Sequence, residues 1–160
     1  MPMLPLTRPL DPALPRSART PLLALLALLG ACATGPDPAV QGARDVVRDA
    51  RLVFLEAEDL SVPRAIGRIG EGTELASRLE RTLHRLDMRV QEAHRAVEIW
   101  SETGNGSTGW RTLSPCVAAA LRALGDALEE AGGPVPAGLE EAFRQAASTA
   151  GSRCPAEQAP

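Results

Sequence analysis

LERTLHRLDMRVQEAHRAVEIW, residues 79–100, decides the fold. Leu79, Leu83, Leu86, Val90, Ala93, Val97 and Trp100 follow one another at spacings of four, three, four, three, four and three. That rhythm puts every apolar side chain on one stripe of an α-helix and excludes a strand, whose faces alternate every second residue. A stripe kept up over about three heptads needs an apolar partner along its length, on the same chain or on a second molecule.

Upstream, the same chain supplies a candidate. Asp37 offers a carboxylate as N-cap, and Pro38 suits the first helical position, where its missing N–H costs nothing. Ala39, Ala43, Val46, Ala50, Val53, Ala57 and Leu60 then form a matching stripe, widened by Val47 and Phe54. Arg44, Arg48 and Arg51 share the polar side with Asp45, Asp49, Glu56 and Glu58. Val62-Pro63 and the glycines at 67, 70 and 72 predict a break or kinked turn between about 61 and 72. Two antiparallel helices joined there form the expected core.

Downstream, SETGNGSTG (residues 101–109) reads as a loop by composition. Ser114-Pro115 repeats the cap-plus-proline start, and Val117, Leu121, Leu124, Leu128 and Ala131 make a third stripe that stops at Gly132-Gly133-Pro134. A fourth, alanine-rich helix is expected from about 136 to 150, carried by Leu139, Phe143, Ala146 and Ala150. No window alternates apolar and polar, so the predicted fold class is all-α: a bundle of about four helices over 38–151, with a flexible tail at 152–160.

Cys116 and Cys154 each lie 19 residues from Val135, the centre of the turn between the last two helices. An antiparallel hairpin brings such positions opposite each other, and a disulfide is the expected outcome in an oxidising compartment. A metal or reactive pair is the rival reading, with neither C-x-x-C spacing nor a nearby histidine in its favour. Closing about 39 residues restricts the unfolded chain by roughly 4 kcal/mol on the entropic model.

Chemical motifs are sparse. Gly104-Asn105-Gly106-Ser107-Thr108-Gly109 matches G-x-G-x-x-G, which binds dinucleotides only when it joins a strand to a helix; after a long helix it reads as a turn. Trp100 and Trp110 flank it, either to seal the bundle's end or to meet a partner. Glu80, His84, Asp87, Gln91, His94 and Glu98 form a polar stripe beside the leucines. Its two histidines stand about 15 Å apart along a helix, too far to share one metal ion within one chain. No G-x-S-x-G or H-E-x-x-H occurs, so no catalytic, cofactor-binding or metal-ligating residue is assigned and a non-enzymatic protein is expected.

The first 31 residues carry a different kind of information. Leu22 to Gly30 is an oily run, nine residues long, behind Arg8, Arg16 and Arg19. It is too short to span a bilayer and has the layout of a secretory signal, despite a long leading segment rich in proline. Leu29-Gly30-Ala31-Cys32 resembles the lipobox of bacterial lipoprotein precursors. Read instead as Ala31-Cys32-Ala33, the stretch is an A-x-A site whose cleavage would discard the cysteine. A cysteine has no packing role in a peptide destined for removal, which favours the lipobox. The resemblance implies a diacylglyceryl group on the Cys32 sulfur, cleavage before it, and a lasting bilayer anchor. It implies a signal peptide at 1–31 and a lipidated cysteine with its tether at 32–37. With Ala33 next in line, it also implies the outer membrane rather than the inner.

All 17 basic residues are arginine, and there is no lysine. Without the three arginines and one acid of the first 31 residues, 14 arginines face 19 acids, a formal charge of −5. No basic tract remains, which argues against nucleic acid. The sequence therefore predicts a lipid-anchored, periplasm-facing helical bundle with a non-catalytic interaction or structural role, its partners the membrane and an envelope protein. The alternative is a periplasmic metal- or small-molecule-binding protein using His84 and His94. The domain at 38–151 resembles no family.

Overall fold

Asp37 and Pro38 begin the first helix as their chemistry dictates: the Asp37 carboxylate accepts from the Ala39 N–H at 2.9 Å, and Pro38 takes the first turn. We describe the fold from a computed structural model covering residues 35, 37–148 and 154. Helix α1 spans Pro38–Glu56. Helix α2 (Val62–Ile69) follows, then α3 (Glu74–Thr103), α4 (Ser107–Glu130) and α5 (Leu139–Ser148). No strand occurs among the described residues. The fold is all-α, and the helices among the described residues form four rods, because α1 and α2 are continuous.

That continuity corrects the expected break between 61 and 72. A single π-helical turn, Ala57–Ser61, joins α1 to α2, with the Val62 N–H bonded to the Ala57 carbonyl five residues back. The wider turn accommodates one extra residue and relieves the clash that the Pro63 ring would make in a regular helix. Val62 keeps helical angles (φ −68°, ψ −47°) in spite of the proline that follows. The chain leaves the helix only at Gly70 and Gly72, both with positive φ. The extra residue also rotates the apolar stripe. Leu60 comes out exposed, and Ser61, Val62 and Ala65 are buried in its stead. At the other end of the stripe Ala39 is exposed and Val40 takes the inward position.

Thr73 caps α3 by accepting from the Ala76 N–H at 3.1 Å, and Gly104 ends it in the left-handed region with φ 69°. Between those caps, Leu79, Leu86, Val90, Ala93 and Val97 are fully buried, with Leu83 and Trp100 packed at the margin. The partner is intramolecular: α3 packs against α4 and α1, and α5 closes the ring between α4 and α1. Neighbouring rods run antiparallel. The start of α1 meets the end of α3 through Arg44 and Glu98, and the start of α3 meets the end of α4 through Arg78 and Glu130. Leu121, Leu124 and Leu128 of α4 and Val46, Ala50 and Val53 of α1 complete the core, each large aliphatic contributing about 1.5–3 kcal/mol by burial.

Two helix boundaries differ from expectation. α4 begins at Ser107 rather than Ser114, so Pro115 lies inside the helix and only residues 104–106 connect α3 to α4. Ser114 is wholly buried, and its hydroxyl donates to the Ala146 carbonyl of α5 at 2.7 Å. It ties two helices together and caps neither. The last helix begins later than 136: α5 starts at Leu139, where the Leu139 N–H reaches the Pro136 carbonyl at 3.1 Å. Phe143 stays at its margin under the Arg122 guanidinium, 4.5 Å from the ring centroid. Ala150 lies outside the described residues. No helix among the described residues is long and apolar enough to cross a membrane.

Candidate functional site

Cys116 and Cys154 are joined in a disulfide, with Cα atoms 4.7 Å apart and both residues buried. The bond ties α4 to the chain beyond α5, so Cys154 is held against the bundle although it falls in the tail expected to be flexible. Cys32 lies outside the described residues.

The polar stripe of α3 becomes one wall of a seam with α1. Arg44 donates through Nε and Nη2 to the two Glu98 oxygens at 3.3 and 3.4 Å, and to Ser101 Oγ at 2.8 Å. Two turns further on, Arg51 donates to Asp87 at 2.8 Å, and Gln91 donates to the second Asp87 oxygen at the same distance. The Arg51 guanidinium also covers the Phe54 ring at 4.9 Å. Arg48 stays with its own helix, paired with Asp45 and Asp49. Its hydrogen bond to Asp49, then the charges of Asp49 and Asp45, push its pKa above the ordinary arginine value. Between the two cross-helix ion pairs lies a groove of about 550 Å³ with an apolar floor of Val47, Val90 and Val97 and His94 at its edge.

His84 and His94 are both exposed. No group of three or more His, Cys, Asp or Glu residues converges to hold a metal among the described residues. Two acids of the polar stripe, Asp87 and Glu98, are engaged by arginines of α1. Ser61, the other fully buried serine, makes no hydrogen bond among the described residues. The seam presents apolar surface between arginines that are each paired with a carboxylate.

A second groove, of about 570 Å³, opens at the pole where α1 starts, α3 turns into α4 and α5 ends. Residues 104–109 form that turn, joining two helices where the dinucleotide motif requires a strand and a helix. A side chain at Gly106 would lie 2.6 Å from Trp100 Cβ and 2.7 Å from its Cα, which explains the glycine. Trp110 seals the bundle's end, buried to 4% exposure, while Trp100 is only partly covered. Both line the groove together with Arg111.

Sequence reasoning missed both grooves. The seam left a signal: arginines at 44 and 51 and acids at 98 and 87 sit at mirrored places on two antiparallel stripes. The groove at the pole left little, because Arg111 lay between the loop read at 101–109 and the helix start read at Ser114, in no expected element. No protein-family model, curated protein or solved structure matches the chain.

Proposed function

We propose that this protein is a lipid-anchored, periplasm-facing component of the cell envelope that acts by contact rather than catalysis. The observation that carries the reading is Cys32 at the close of the oily run, within Leu29-Gly30-Ala31-Cys32. Two or three long acyl chains on that residue hold a protein at a bilayer, each buried methylene contributing about 0.8 kcal/mol. The disulfide of Cys116 with Cys154 supports an oxidising compartment outside the cytosol. Ala33, which is not an acid, supports sorting to the outer membrane. The formal charge of −5 beyond the oily run supports a protein or membrane partner over nucleic acid.

Metabolic labelling with a palmitate analogue tests the anchor. Wild type is expected to take up label and float with outer-membrane fractions, and Cys32→Ala to take up none. Unlabelled wild type overturns the reading.

The groove between α1 and α3 favours a second reading, a binder of a small apolar molecule on the floor of Val47, Val90 and Val97, since the rim arginines are held by Glu98, Asp87, Asp45 and Asp49. The metal-binding form has no converging ligand set behind it among the described residues. A rise in melting temperature with Zn²⁺, Cu²⁺ or Ni²⁺ that disappears in His84→Ala/His94→Ala would restore it.

A further inference from the structure

We propose that the pole carrying Trp100, Trp110 and Arg111 rests on the phospholipid headgroups of the leaflet that holds the anchor, with its groove taking a headgroup. The inference relies on the Cys32 anchor proposed above and adds the orientation of the bundle and a lipid contact.

Chain length supplies the first argument. Cys32 precedes the Asp37 cap by five residues, which reach at most about 18 Å fully extended. The polar layer of one leaflet is itself about 5–7 Å deep. The start of α1 is therefore kept beside the membrane surface, and the groove is built on that start: Ala39 and Gly42 form part of its wall. The opposite pole lies about 45 Å away along the 30 residues of α3, beyond the reach of the tether.

Chemistry supplies the second argument. Arg111 is exposed and forms no ion pair among the described residues. Asp45, the acid in the groove wall, is already paired with Arg48. The groove thus offers a free guanidinium for a phosphate, whose oxygens match its fork of donors. Trp100, half-covered beside it, combines an apolar ring with a polar N–H, the combination that settles at the boundary between hydrocarbon and water.

Full-length lipidated protein, reconstituted in phosphatidylethanolamine–phosphatidylglycerol vesicles, tests this with lipids brominated near the glycerol end of the acyl chain. Bromine quenches tryptophan only at contact range. Loss of Trp100 emission is expected in Trp110→Phe, and the same loss is expected in wild type, which serves if that variant does not fold. Arg111→Glu is expected to reduce the quenching without changing flotation, and a tryptophan introduced by Val135→Trp at the far pole is expected to keep its emission. Protein that floats with the vesicles while its native tryptophans are unquenched overturns the orientation and leaves the anchor standing. Protein that neither floats nor labels overturns the anchor and the orientation together.

Discussion

Ser114 and Ser61 are both buried, at 0% and 1% exposure, yet their hydroxyls stand in opposite states. Ser114 donates to the Ala146 carbonyl across the α4–α5 interface, whereas Ser61 has no partner among the described residues. A buried hydroxyl that keeps its bond contributes about 1 kcal/mol net, and one without a partner costs a desolvation penalty of about 1–3 kcal/mol. Ser114→Ala is therefore expected to lower stability by about 1 kcal/mol, and Ser61→Ala to leave it unchanged or raise it by a similar amount. Urea midpoints of the two variants check the contrast, and equal losses would refute it. Gly106 makes a sharper demand, because a Cβ there meets the backbone of Trp100 and a backbone atom cannot swing aside. Gly106→Ala is expected to cost about 1–3 kcal/mol, the range for overpacking, and to shift Trp100 emission as the polar turn opens.

Among the helices, the π-turn is the feature with the clearest history in the sequence. Ala57, Leu60, Arg64 and Gly67 would face the core if α1 ran on regularly, and that face is poor. One additional residue turns Val62 and Ala65 inward and leaves Leu60 in solvent. Deleting Ser61 removes the additional residue: Leu60 stays three after Ala57, while Val62 moves to four after it and Ala65 to seven after. The Ser61 deletion is expected to keep its stripe on the core and fold, but with a melting temperature below wild type, because Pro63 then falls inside a regular helix. Deleting Ala50 from the middle of α1 throws its whole stripe off the core and is expected to prevent folding. Far-UV circular dichroism melts check both, and unfolding of the Ser61 deletion would show that the π-turn is needed. The same region marks what a sequence can reveal. The stripes of α1, α3 and α4 were legible because burial repeats with the helical period, and the cysteine pair because its symmetry about Val135 is a matter of counting. The π-turn was not, since a proline reads locally as an ending and only packing makes a wider turn worthwhile. Ser114-Pro115 misled for the same reason: the pair is a common helix start, but here the serine is claimed by α5. A signal for the true start existed in Trp110, Leu113, Val117, Leu121, Leu124 and Leu128, spaced three, four, four, three and four, hidden under a polar composition. The candidate grooves were hardly legible, because one needs residues from four helices and the other from two faced antiparallel.

For the molecule as a whole, the disulfide does what the weakest part of the bundle requires. α5 has ten residues, too few to be helical alone, and it buries chiefly Leu139 and two alanines. Its hold on the other rods is therefore modest: each small side chain hides little area, and the ion pair of Arg144 with Glu141 lies within α5 itself. Cys116 lies early in α4 and Cys154 beyond the end of α5, so their bond closes a loop of 38 residues around the entire hairpin. On the entropic account such a closure is worth about 4 kcal/mol, a large share of the 5–15 kcal/mol typical of a domain. Reduction, or Cys116→Ala/Cys154→Ala, is expected to lower the unfolding free energy by about 4 kcal/mol, read as a fall in the urea midpoint, and to loosen α5 first, seen as faster amide exchange over 139–148 than over α3. A midpoint indifferent to reductant would mean that the core of α1, α3 and α4 holds α5 without help. It would also remove the stability argument for folding in an oxidising compartment, leaving Cys32 alone to argue for export.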